Sequence, residues 1–201
     1  YLYDAAGRLT KLTDRNGRIT EYAYDGLGRL TTETWKTSGG STVRTITSTY
    51  DANSRLTGTS DPDSVYAFTY DNLGGVLTVD NNTTPNIPRV ILTNTYDANS
   101  RRTQLATSIA GTNDFKNTYT YDNLNRLTQV KQQGNGGATV GEKRVDIVYT
   151  AAGAFDLITR YSNLAGTALV ATSDYVYDDL GRLTSLAHAK SGGTAINTYS
   201  W

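Results

Sequence analysis

The 201-residue chain has no cysteine, no methionine, one histidine and three prolines, and its nineteen basic residues offset nineteen acidic ones. Each absence removes a class of function. Without cysteine there is no disulfide framework, no thiolate nucleophile and no thiolate zinc site, and the redox compartment cannot be read from thiols. A net charge of zero removes the electrostatic footing of nucleic-acid and anionic-membrane binders. No apolar run approaches the roughly 20 residues of a membrane-spanning helix. The missing methionine, with a first residue already inside a repeated pattern, points to a piece of a longer chain, with any secretion signal outside it.

What is present is fifteen tyrosines, nineteen glycines and abundant threonine. Tyrosine and threonine favour strands, and glycine and asparagine mark turns. One unit recurs. It reads Tyr-Asp-x-x-Gly-Arg-Leu-Thr from Tyr3, Tyr24 and Tyr177, with serine or asparagine in the glycine slot from Tyr50 and Tyr121. Weaker copies start at Thr13, Tyr70, Tyr96 and Tyr149, and most copies lie about 20 to 28 residues apart, the spacing of a repeat array.

The unit reads as a hairpin. Its aspartate can accept from backbone N–H groups two residues on, and the glycine slot suits a left-handed residue, giving a type I turn closed by a bulge glycine. Asn125 is a tolerable substitute in that slot, and Ser54 and Ser100 are strained ones. The turn residues are Asp4, Gly7 and Arg8; Asp25, Gly28 and Arg29; Asp51 and Arg55; Asp122 and Arg126; and Asp178, Gly181 and Arg182. Each aspartate faces its arginine across the ladder, a pairing of about 0.2 to 1 kcal/mol. Further from the turn, Tyr121 should oppose Leu127 and Thr120 should oppose Thr128. Alternation then sets tyrosines on one face and threonines on the other. Tyr3, Tyr24, Tyr50, Tyr70, Tyr96, Tyr121, Tyr149 and Tyr177 would form an aromatic ladder. Variable loops at 38–40, 61–63, 81–86, 110–113, 134–137 and 164–167 join one hairpin to the next. The whole reads as an all-β antiparallel meander of about 17 strands, with regular turns on one edge and irregular loops on the other. An open sheet that long must curl, into an arc of a larger spiral shell or a narrow tube.

These residues resemble the YD repeat of the Rhs family, found in bacterial polymorphic toxins, toxin-complex shell subunits, wall-associated proteins and teneurin-like adhesion proteins. The resemblance runs through essentially the whole chain. It implies a spiral β-shell that in the toxin relatives encloses a C-terminal toxic domain, and in teneurin-like relatives serves adhesion. The family's self-cleavage motif, of DPxG type, is not matched by Asp61-Pro62-Asp63-Ser64.

Catalytic and metal chemistry finds little footing. His188 stands alone with no GxSxG elbow. Glu21, Glu33 and Glu142 are the only glutamates, and many of the sixteen aspartates are committed to turns. Asp61 with Asp63, and Asp80 with Asn81 and Asn82, lack the spacing of a known calcium loop. Gly39-Gly40 and Gly136-Gly137 lack the lysine of a phosphate loop. Seven of the thirteen arginines sit in the repeat slot, against a role in stacking on RNA. The expectation is therefore a non-enzymatic structural segment without cofactor or metal, residues 1–201 forming a single array that is a fragment of a longer repeat region. It would be secreted or at the cell surface and would form a shell or tube wall, with further repeats as partners through open sheet edges and a toxin domain as cargo. The alternative is a filament or adhesin that binds glycans through its aromatic ladders. No nucleic acid and no membrane span are expected.

Overall fold

The structure is a computed structural model that describes residues 1–82 and 84–201. It falls into two compact units, Tyr1–Ile91 and Leu92–Trp201. The described residues contain seventeen strands and no helix.

The first unit holds β1 (Leu2–Tyr3), β2 (Leu9–Thr13), β3 (Ile19–Tyr24), β4 (Leu30–Lys36), β5 (Thr42–Tyr50), β6 (Leu56–Asp61), β7 (Ser64–Tyr70) and β8 (Val76–Asp80). Each pairs antiparallel with the next. Strand direction alternates, so the turns at Asp4, Asp25, Asp51 and Asp71 share one edge. The connections at 14–18, 37–41 and 61–64 share the other. The Asp14 copy of the repeat therefore lies opposite its relatives, although Asp14 and Arg18 pair at 2.7 Å as theirs do.

The second unit takes up most of β9 (Val90–Tyr96) and all of β10 (Arg102–Ile109), β11 (Thr112–Tyr121), β12 (Leu127–Gly134), β13 (Lys143–Tyr149), β14 (Phe155–Tyr161), β15 (Leu169–Tyr177), β16 (Leu183–Lys190) and β17 (Ala195–Ser200). Successive strands again pair antiparallel. The turns at Asp97, Asp122, Thr150 and Asp178 share one edge. The loop expected at 81–86 includes Thr83, which lies outside the described residues.

The register corrects the sequence reading at one point. Tyr121 does oppose Leu127, but Thr120 opposes Gln129, and Thr128 is an extra residue in a bulge. The same shift follows the tyrosine in the hairpins at Tyr3, Tyr24, Tyr50, Tyr70, Tyr149 and Tyr177. The bulged threonine returns its hydroxyl to the facing strand, as Thr31 Oγ1 does to the Ala23 carbonyl at 3.2 Å, Thr128 to Thr120 at 3.2 Å and Thr184 to Val176 at 3.1 Å. One extra residue resets the alternation. Leu183 and Leu186 thus both face tyrosines, Tyr177 and Tyr175.

No large apolar side chain is buried among the described residues, and the buried ones are polar: Asn81, Asn94, Thr107, Thr159 and Ser173. The chain exposes 12316 Å², whereas a compact monomer of this mass would expose about 9,300 Å². Backbone ladders and side-chain links between neighbouring hairpins must therefore supply what a core normally supplies.

Candidate functional site

In each complete turn one aspartate organises the loop. Asp25 accepts from the backbone N–H of Leu27 and Arg29 through Oδ1 at 2.9 and 3.0 Å, and from Arg29 Nε through Oδ2 at 2.7 Å. Its own N–H bonds the Arg29 carbonyl at 3.0 Å, and its carbonyl accepts from Gly28 at 3.0 Å. The same set recurs at Asp4 with Arg8, Asp51 with Arg55, Asp97 with Arg101, Asp122 with Arg126 and Asp178 with Arg182. The last loop residue is left-handed: Gly7 at φ 76°, Gly28 at 79°, Gly181 at 74°, and without glycine Ser54 at 62°, Ser100 at 60° and Asn125 at 64°.

These bonds hold the carboxylates ionised. In Asp4, Asp25, Asp51, Asp122 and Asp178 the arginine's backbone N–H, with its guanidinium alongside, keeps the carboxyl below the usual aspartate range. In Asp14 the Arg18 guanidinium leads the same lowering. Asp97 is lowered as well, its burial, the largest single influence, being outweighed by the combined bonds from Arg101 and Asn99.

The guanidinium then reaches one hairpin further. Arg29 Nη1 donates to the Asp51 carbonyl at 2.7 Å, while its plane covers the Tyr50 ring at 4.8 Å. Arg55 donates to the Asp71 carbonyl at 2.8 Å and covers Tyr70 at 4.7 Å. Arg101 donates to the Asp122 carbonyl at 3.2 Å and covers Tyr121 at 4.8 Å. Arg8 covers Tyr24, and Arg126 covers Tyr149. The tyrosine answers in the other direction: the hydroxyls of Tyr24, Tyr50, Tyr70 and Tyr149 donate to the carbonyls of Leu9, Leu30, Leu56 and Leu127, and Tyr121 to that of Arg102, at 2.7 to 2.9 Å. Every such link joins one hairpin to the next.

The tyrosines of the expected ladder therefore stand beside guanidinium groups. Tyr149 adds a ring contact, to Phe155 at 5.3 Å, and Phe155 lies 5.8 Å from Tyr175. Tyr3 lies on β1 and is 62% exposed. Tyr96 and Tyr177 end β9 and β15. Two turns depart from the pattern. Asp71 has Gly75 where the arginine would be, and Thr150 replaces aspartate, its hydroxyl accepting from Ala154 at 3.2 Å. The reach of each arginine to the next tyrosine escaped the sequence reading. Its one trace there is that each turn arginine is followed a period later by a tyrosine.

The other candidate groups are engaged with protein partners. Glu21 binds Lys36 at 2.5 Å, Glu33 accepts from Trp35 Nε1 at 2.6 Å, and Glu142 accepts from the Leu164 N–H at 3.1 Å. Asp61 and Asp63 both hold Arg44, and Asp80 holds Arg89. No cluster of three metal-ligating acidic or histidine side chains occurs among the described residues. His188 Nδ1 lies 2.9 Å from Ser173 Oγ, which also accepts from Arg160 at 2.8 Å. Ser173 is 0% exposed, so its hydroxyl is out of a substrate's reach.

The family description RHS Repeat matches residues 3–34. No curated protein matches. Among solved structures the chain is similar to the TcdB2-TccC3 complex, at 15% identity and a TM-score of 0.70 over 98% of this chain and 12% of that one. It is also matched, at 15% identity, to the Tc holotoxin pore of Photorhabdus luminescens, over 95% of this chain and 13% of that one, with a TM-score of 0.38. The chain thus spans about an eighth of the length of these structures, and the first of them shows the fold. With the RHS Repeat at residues 3–34 and the same turn returning along an all-β chain, the protein belongs to the Rhs/YD-repeat family.

Proposed function

We propose that this chain is a structural, non-enzymatic wall segment: residues 1–201 form one array of YD hairpins within a longer repeat region of a secreted or surface protein, and that region encloses a toxin domain. The observation that carries the reading is the link from each turn arginine to the next hairpin's tyrosine and aspartate carbonyl. Such a link serves to hold one hairpin against its successor. The absence of a buried apolar core among the described residues supports it, because a sheet of this kind acts as a partition. The fold shared with TcdB2-TccC3 and the family match support the shell. The turn aspartates, arginines and tyrosines are, in this reading, the wall's fasteners, and further repeats continue the sheet through its open edges.

The test is electron microscopy of the full-length protein together with limited proteolysis. Hollow particles that shield a C-terminal domain from protease are the expected result, and solid particles, or a terminal domain cleaved as fast as a free one, overturn it. Exposed rings, among them Trp35 at 42% and Tyr199 at 47%, favour a second reading as an adhesin that binds glycans on aromatic platforms. Saturable glycan binding lost on replacing those rings would favour it.

A further inference from the structure

The second variable position of the turn holds a pattern that the linking of hairpins does not use. Along the regular edge of the first unit it reads Ala6, Leu27, Asn53, Leu73, and along that of the second Asn99, Leu124, Ala152, Leu180. Leucine occupies every second turn. All four leucines are exposed, Leu27 at 71%, Leu73 at 78%, Leu124 at 71% and Leu180 at 77%.

Single exposed leucines on a surface are ordinary. These four are set apart by their recurrence at one position of a rigid loop. The backbone N–H of each donates to the turn aspartate's Oδ1 at 2.9 to 3.0 Å, which fixes the side chain at the tip. The turn does not require leucine: Asn53 and Asn99 make the same bond at 2.9 Å. Within each unit the two leucines are four strands apart, a spacing of about 19 Å.

We infer that the leucine tips form a docking edge for a second copy of this chain. Two features select that occupant. Apolar knobs spaced by four strands are met together only by a surface with the same inter-strand period, which another array of these hairpins has. The tips also carry little net charge, because each complete turn neutralises its aspartate with its own arginine; Asp179, beside Leu180, is the exception. Like edges can therefore approach without repulsion. This inference goes beyond the wall reading, since paired edges could join flat sheets, filaments or closed shells alike.

The experiment is sedimentation equilibrium on this chain and on the variant combining Leu27→Asn, Leu73→Asn, Leu124→Asn and Leu180→Asn, with circular dichroism to compare their β content. Asparagine is the residue neighbouring turns already carry, and every strand edge is left untouched. The natural chain should self-associate, and the variant should do so roughly 100-fold more weakly, about tenfold for each leucine in contact. If the fourfold variant loses β structure, the pair Leu27→Asn and Leu73→Asn is used, with about a tenfold weakening expected. A natural chain that stays monomeric at high micromolar concentration overturns the inference. So does a variant that associates as tightly as the natural chain, which would place association at the strand edges.

Discussion

At the scale of the residue, the turn aspartate does three things with two oxygens: it caps two backbone N–H groups, pairs with the guanidinium and fixes the loop's entry. All of these need the ionised form, and its pKa in the fold lies below the ordinary value of about 3.9. A carboxyl whose pKa is lowered by folding contributes stability that is present above its unfolded pKa and is lost as pH falls through the folded one. Thermal stability should therefore change little from these groups between about pH 5 and 8 and fall steeply below about pH 4. Melting followed by circular dichroism against pH checks this, and an unchanged melting temperature down to about pH 2 would contradict it. The left-handed slot gives a second expectation. Ser100 sits at φ 60°, where a side chain costs about 1–2 kcal/mol, and glycine removes that cost at some loss of chain entropy. Ser100→Gly should stabilise by about 0.5–1 kcal/mol in urea unfolding. Ser54→Gly should gain less, because Ser54 Oγ accepts from Arg29 at 3.3 Å. The slot and its strain were legible in the sequence because turn chemistry is local. So was the need for glycine in general, but the severity at Gly134, where an added Cβ would sit 1.7 Å from the Ala138 carbonyl oxygen, depends on how its own loop folds back.

At the scale of the element, the hairpin is the unit and the arginine–tyrosine link is its fastening. Arg29→Lys keeps a positive charge near Asp25 but loses the planar fork that serves Asp25, the Asp51 carbonyl and the Tyr50 ring together. It should cost about 1–2 kcal/mol in urea unfolding. Arg182→Lys, at a guanidinium 73% exposed, should cost less than about 0.5 kcal/mol. Equal costs at the two sites would mean that the link to the next hairpin contributes nothing. Tyr50→Phe, which removes the bond to the Leu30 carbonyl, should cost about 1 kcal/mol by the same measurement. Hairpins, their turn type and the Asp–Arg pairing could be read from residues three or four apart. The threonine bulge could not. Strict alternation places Thr128 opposite Thr120, and only the paired strands reveal that the extra residue carries Gln129 into that position.

At the scale of the whole molecule, each described strand pairing within a unit joins neighbours in sequence, and no apolar cluster is buried to tie distant strands together. Stability should then resemble a sum of local terms, as in other repeat arrays. Calorimetry should give an unfolding enthalpy well above the van't Hoff value, with hydrogen exchange graded along the chain; a single two-state transition with equal enthalpies would show long-range cooperativity instead. The sequence by itself determined the all-β class, the meander order and the turns, because each rests on residues close together in the chain whose conformational preferences are local. Only the tertiary structure decided which face a residue takes beyond the bulge and which hairpin each arginine grips. It also placed the Asp14 copy on the opposite edge and set four leucines at alternate tips of one kind of edge. Those outcomes depend on strand direction and inter-strand register, quantities that exist only once neighbouring hairpins have bonded.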